Sequence, residues 1–271
     1  MKIHTLFENN IFGSKTIHIS DYFKYHRDLQ TAITAYDQDR IIYRGVPFHD
    51  SNMFYQPQMT KGARRSKGTK NYYTLIMDNV PEWQLFPARS SSIIATTEGG
   101  QAEDYGRAFV VLPFGNPAIA QCGDYDVWYS FPRLERLLME DLQDVAYALD
   151  DLTALYGIQP LDQNNWQNFQ KGLDQLTQAI RANRRDPLMA YADNLQKLVT
   201  KRVSLLDVLR KLLNPQAGNI SLSLLSTWQP EPNREIWFTA AAMFIEASGL
   251  EAAPGKNLDE KMKYLQKIQW A

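Results

Sequence analysis

At Pro132 the hydrophobic period of this chain changes, and that change limits its folds more than any other feature. Upstream, short runs of β-branched and aromatic residues at 41–48, 71–77, 91–97, 107–113, 117–122 and 125–131 each read as a strand. Turn signals separate them at Pro47, Pro81, Gly99-Gly100 and Gly115-Asn116-Pro117. Downstream, Leu134, Leu137, Leu138, Leu142, Val145, Leu149 and Leu152 recur as on one face of a helix, which Gly157 and Pro160 stop. Trp166, Phe169, Leu173, Leu176 and Ile180 mark a second helix. A third is expected to open at Asp186-Pro187, an N-cap residue followed by a first-turn proline. It carries Leu195, Leu198, Leu205, Leu206, Leu209 and Leu213 with a break, and ends at Asn214-Pro215 and Gly218. Strand patterns return at 220–225 and 235–246, and a short helix over 258–268 closes the chain. The expected division is a β-rich part over 1–132, a helical block over 133–215, and a strand return with a C-terminal helix over 216–271. The return implies an α+β fold whose helical block is added to, or inserted into, a mostly antiparallel sheet that the end of the chain completes.

Composition narrows the class of function. With 44% hydrophobic and 22% charged residues the chain can bury a core, which sets aside collagen-like, disordered and disulfide-rich classes. Lys+Arg 29 against Asp+Glu 30 excludes a generally basic nucleic-acid-coating protein, while leaving room for a local basic patch. The single cysteine, Cys122, cannot form an internal disulfide, so a cytoplasmic setting is expected. One cysteine and 4 histidines argue against a Cys/His zinc site, and no metal is expected. The first residues lack the apolar core of a signal peptide. The longest apolar run, 237–245, falls well short of the roughly 20 residues a membrane span needs. A soluble protein without a membrane partner is expected.

GxxxxGK[ST], GxSxG, HExxH and CxxC are all absent, which removes the commonest nucleotide-hydrolase, α/β-hydrolase and metalloprotease readings. Three segments remain. Arg44 stands in an apolar strand before Gly45, a glycine that lets the chain turn; a guanidinium so placed can read a phosphate in bidentate fashion. Residues 86–97 present Arg89, Ser90, Ser91, Ser92, Thr96 and Thr97, with hydroxyls at alternate positions that offer a row of donors. A carboxylate at a strand end follows, either Asp126, after Asp124-Tyr125, or Glu235, after Asn233-Arg234. Taken singly, each has an ordinary structural explanation: a strand-end ion pair, a solvated edge strand, a surface charge.

Their order is more informative. Arg44 on a first strand, a hydroxyl-rich strand, a short helix with Ala102 and Tyr105-Gly106, a strand ending in Pro113 and then a carboxylate strand resemble the arginine-serine-glutamate class of ADP-ribosyltransferases, found among bacterial toxins and phage modifying enzymes. The resemblance covers about residues 40–130 and 220–246. It implies a small split, mostly antiparallel sheet of the ADP-ribosyltransferase type and mono-ADP-ribosyl transfer from NAD to a protein or nucleic-acid acceptor, with nicotinamide released. It implies Arg44, Arg89, Ser90, Ser92, Thr96 and Thr97 as NAD-binding residues, and Glu235 or Asp126 as the catalytic carboxylate, with Glu235 slightly preferred for its longer reach. An antitoxin or chaperone is the further partner such toxins bring into view. Two departures stand out. Ala95-Thr96-Thr97 occupies the place of a Ser-Thr-Ser motif, and neither Glu-x-Glu nor Gln-x-Glu is intact. They support a competing expectation, a non-catalytic binding or structural protein whose helical block is an interaction module.

The loop 61–70 holds five basic residues (Lys61, Arg64, Arg65, Lys67, Lys70) and no acid. Two readings carry equal weight: contact with the phosphates of NAD or a nucleic acid, or a solvated loop. Tyr72 and Tyr73 beside it could stack on nicotinamide or a base, although strand aromatics more often belong to a core.

Overall fold

The computed structural model describes residues 13–47, 49–65 and 70–268. In chain order its elements are β1 (Lys15–Thr16), α1 (Ile19–Lys24), α2 (Gln30–Asp37), β2 (Tyr43–Val46), β3 (Met53–Gln56), α3 (Tyr72–Asn79), β4 (Ile93–Thr96), α4 (Gly99–Glu103), β5 (Arg107–Pro113) and β6 (Ala118–Gln121). They continue with α5 (Leu142–Leu155), α6 (Trp166–Ala182), α7 (Ala190–Lys197), α8 (Leu205–Leu212), β7 (Ser221–Leu224), β8 (Glu235–Phe238), β9 (Ala242–Glu246), α9 (Ala247–Ala252) and α10 (Leu258–Lys267). The class is α+β, with an antiparallel sheet. Two compact units form: one from Met1–Lys67, Phe86–Gln121 and Leu222–Ala271, the other from Gly68–Leu85 and Cys122–Ser221.

The first unit is built on the sheet, in the order β1-β3-β9-β5-β2-β4-β8-β6-β7. The final two strands are separated in sequence only by residues 239–241, yet β8 lies between β4 and β6 while β9 lies between β3 and β5. Every residue of β8 is buried, as are the last five residues of β5 and the first four of β9, which suits strands flanked on both sides. Phe54 stacks on Phe244 at 4.4 Å and meets Phe109 edge-on at 5.1 Å. The exposed β7 forms one edge. The sheet is larger than the small one expected, but it has a weak seam. β2 shares four registered pairs with β5, whereas only Tyr43↔Thr96 joins it to β4 among the described residues.

The second unit is helical. Asp141 caps α5 by accepting from the amides of Gln143 and Asp144, Asn165 caps α6, and Ser204 with Asp207 forms a capping box on α8. Phe169, Leu173, Leu176 and Ile180 form the buried face of α6. The third helical stretch begins at Ala190, not at Asp186-Pro187, and its break divides α7 from α8.

Two expected strands are not strands. Residues 71–77 fall in helix α3, where Tyr72, Tyr73, Ile76 and Met77 bury one helical face, so tertiary packing overrides their β-propensity. Residues 125–131 are a run of turns. The Asp126 carboxylate accepts from the amides of Trp128 (2.7 Å) and Tyr129 (3.3 Å), and the Tyr125 and Tyr129 rings stack at 4.7 Å. A side chain that satisfies successive amides locally removes them from any ladder.

Candidate active site

The seam between β2 and β4 collects the singled-out residues from distant parts of the chain. Tyr43 is registered with Thr96, and Thr96 with Glu235, so β2, β4 and β8 share one row. Arg44, half-buried and next along β2, donates from Nη1 to the Ile94 carbonyl at 2.9 Å, bridging the two strands where their register has ended.

Gly45 is not a turning residue. It lies within β2, and a Cβ there would sit 1.9 Å from the Ala102 carbonyl oxygen and 2.7 Å from Tyr105 Cβ. Helix α4 therefore lies directly on the β2 backbone. Gly106, at φ +131, similarly places its chain against the Val46 carbonyl. Thus Gly45, Ala102, Tyr105 and Gly106 belong to one contact.

Glu235 is a buried carboxylate on β8, a position that requires a partner. The partner is Arg89, with Nη2 2.7 Å from Glu235 Oε1 and the two side chains only 1% and 11% exposed. The same guanidinium lies over the Trp237 ring at 5.0 Å. Trp237 Nε1 in turn donates to the Pro87 carbonyl at 2.9 Å. Alternation along β8 puts Glu235 and Trp237 on one face, and Arg89 covers that face. Arg89 is thus engaged with the carboxylate instead of presenting its charge to solvent.

The hydroxyls are used mainly to shape the surrounding chain. Thr96 Oγ1 accepts from the Glu98 amide at 3.2 Å and donates to Gln101 Oε1, turning β4 into α4. Thr97 Oγ1 donates to the Glu231 carbonyl (2.8 Å) and accepts from the Arg234 amide (2.9 Å), fixing the approach to β8. Ser92 Oγ bonds the Ala88 carbonyl at 2.8 Å and meets Thr239 Oγ1 at 3.0 Å. Ser90 accepts the Gly62 amide on its hydroxyl and the Arg64 amide on its carbonyl, both at 2.8 Å.

Ser90 therefore ties the basic loop to the residue beside Arg89. Lys61 and Arg65 are exposed there, while Arg64 is buried. Residues 66–69, including Lys67, lie outside the described residues. Lys70 pairs with Asp150 at 3.2 Å. Tyr72 and Tyr73 are core residues, the first donating to Asp150 at 3.0 Å and the second packed on Trp128. Asp126 is held in its turn by two amides and has no strand position beside β4. Gln101 and Trp237 were not anticipated from sequence. Gln101 acts locally, on Thr96, whereas Trp237 acts through a contact with Arg89 that no local pattern encodes.

No helix among the described residues is long and apolar enough to cross a membrane, and no group of three or more His, Cys, Asp or Glu among them is placed to hold a metal ion. No family model, no curated protein and no solved structure matches the chain.

Proposed function

We propose that the chain is an ADP-ribosyltransferase that moves ADP-ribose from NAD to a macromolecular acceptor, protein or nucleic acid, and releases nicotinamide. The observation that carries this reading is the placement of Arg44, Thr96 and Glu235 on the neighbouring strands β2, β4 and β8, with Thr96 and Glu235 in one row and Arg44 one residue beyond Tyr43 of that row. On this reading the sheet is of the ADP-ribosyltransferase type, its cleft opens at the β2–β4 seam, and the larger segment of the helical unit, Cys122–Ser221, is an insertion that follows β6. A cytoplasmic setting, in which the buried free thiol of Cys122 stays reduced, belongs to the same proposal.

Each residue then has a defined task. Arg44 supplies a guanidinium for a phosphate, and the loop of exposed Lys61 and Arg65, tied to Ser90, adds positive charge to the same unit. Glu235 favours the positive charge that develops on the ribose as the bond to nicotinamide breaks. That bond's electron pair leaves with the nicotinamide nitrogen. The acceptor nucleophile forms the new bond to the same ribose carbon and loses its proton. Arg89, itself lying over the Trp237 ring, pairs with the Glu235 carboxylate and orients it before charge develops.

A non-catalytic binding protein is the competing reading. It is favoured by the hydroxyls of Ser90, Ser92, Thr96 and Thr97, which are already engaged in the fold. Incubation with NAD labelled in the nicotinamide ring, with protein and nucleic-acid acceptors offered separately, decides between them. We expect nicotinamide release that Glu235→Gln slows by ~10²–10³ and Asp126→Asn leaves nearly unchanged. Absence of release by the wild-type chain with every acceptor would give the binding reading precedence.

A further inference from the structure

Within the helical unit, the 3-10 segment 132–137, the end of α7 and helix α8 surround a cavity of about 730 Å³. Its walls are aliphatic: Leu137, Leu198, Val203, Val208 and Leu212. Charge enters only through Arg133, Arg136, Lys211 and Asp207. The Asp207 carboxylate is committed to its own helix, accepting from the Ser204 amide at 2.9 Å and the Ser204 hydroxyl at 2.7 Å. Those bonds hold it below the usual carboxylate range. The three cations are exposed and form no ion pair among the described residues. The cavity therefore combines an apolar floor with an excess of positive charge that this unit does not neutralise.

We propose that this groove docks an acidic amphipathic helix of a partner protein. Such a helix carries aliphatic side chains at three- and four-residue spacing that fill the floor, with carboxylates flanking them that reach Arg133, Arg136 and Lys211. Two of the three cations are arginines, whose forks match carboxylates in bidentate fashion. The lining offers no hydroxyl, amide or aromatic ring to orient a small polar ligand or stack a base. A nucleic-acid backbone would satisfy the cations and leave the aliphatic floor in water. Leu198, 41% exposed at the end of α7, is the apolar residue most open to an incoming helix. The inference rests on the helical unit alone and is independent of the reading given to the β2–β4–β8 site.

The test is fluorescence anisotropy of the full chain with a labelled synthetic helix, long enough to be helical (roughly 15–20 residues), bearing Leu at helical spacing and Glu on its flanks. Saturable binding is expected. The combined variant Arg133→Glu/Arg136→Glu/Lys211→Glu should weaken it about tenfold or more and gain affinity for the same helix carrying Lys instead of Glu. Leu198→Asp, a single change at an exposed site, should weaken the Glu helix without the swap. All four positions are exposed, so circular dichroism should match the wild type. The proposal is overturned if the wild type binds a scrambled-Leu peptide of equal composition as well, or if charge reversal changes nothing. It also fails if a single-stranded oligonucleotide binds more tightly than the Glu helix and is lost in the same variants, or if Leu198→Asp abolishes a self-association that occupies the groove.

Discussion

Arg89 illustrates how one residue can be seen in a sequence and its role still missed. It stands in a hydroxyl-rich segment as an apparent ligand for an external phosphate, yet its side chain is 1% exposed and ion-paired with Glu235. Arg89→Met should therefore leave a buried carboxylate uncompensated, at a cost of about 3–5 kcal/mol. Urea unfolding measures the loss. Restoring much of it with a second change, Glu235→Gln, identifies the stranded charge as the cause, and no restoration would show that packing on Trp237 dominates. Gly45 makes the opposite point. Its neighbourhood to Arg44 suggested a turn, but it is the close approach of the Ala102 carbonyl that requires glycine. Gly45→Ala should push α4 off β2, costing about 1–3 kcal/mol as overpacking does. Hydrogen exchange should show the amides of α4 exchanging faster; unchanged protection would mean the helix absorbs the methyl group elsewhere.

At the scale of elements, α10 shows how the end of the chain is held to its beginning. Asp259 accepts from the buried Tyr22 hydroxyl at 2.5 Å and contacts His26 Nε2 at 3.1 Å, while the Leu258 amide donates to Asp37 at 2.8 Å. Burial pushes the Asp259 carboxyl up, but the bonds from Tyr22 and His26 outweigh it and hold it below the usual carboxylate range. A depressed native value means that the ionised form stabilises the fold. That contribution is complete above the ordinary carboxylate range and disappears as pH falls through the depressed value. Asp259→Asn should therefore be less stable than wild type at neutral pH, by about 1 kcal/mol once solvent screening of a partly exposed side chain is allowed for. The gap should close in strong acid. Urea midpoints at neutral and acid pH check this, and a gap that widened in acid would contradict it.

At the scale of the whole molecule, the chain passes between its two units four times, so neither is a contiguous segment. The sheet unit takes β8 and β9 from the last part of the chain. A fragment of residues 1–132 would leave β4 and β6 without the strand between them, and β3 and β5 likewise. Such a fragment should show no cooperative urea transition, because the most buried strands are missing. A sharp transition in the isolated fragment would refute that view of the core.

Local patterns in the sequence were enough for elements whose neighbours repeat their own periodicity. The apolar run 107–113 is β5 to the residue, and α6 follows its leucine and aromatic spacing, whereas the first expected helix begins only at Leu142, because Leu134 and Leu137 lie in a separate 3-10 segment that Leu138 ends at φ 61. Residues 71–77 have strand composition but pack as a helix, and at 125–131 one aspartate's amide bonds outcompete strand pairing. Of the candidate site, Arg44, Thr96 and Glu235 were visible as residues. Their placement on adjacent strands depended on β2, β4 and β8 becoming neighbours, and the Arg89–Glu235 pair on burial. Side-chain period records which face of an element is apolar and carries no information about which distant strand will lie beside it. Strand order, the seam at Tyr43↔Thr96 and the partner of a buried charge are consequences of long-range hydrogen bonding and desolvation, which exist only in the folded chain.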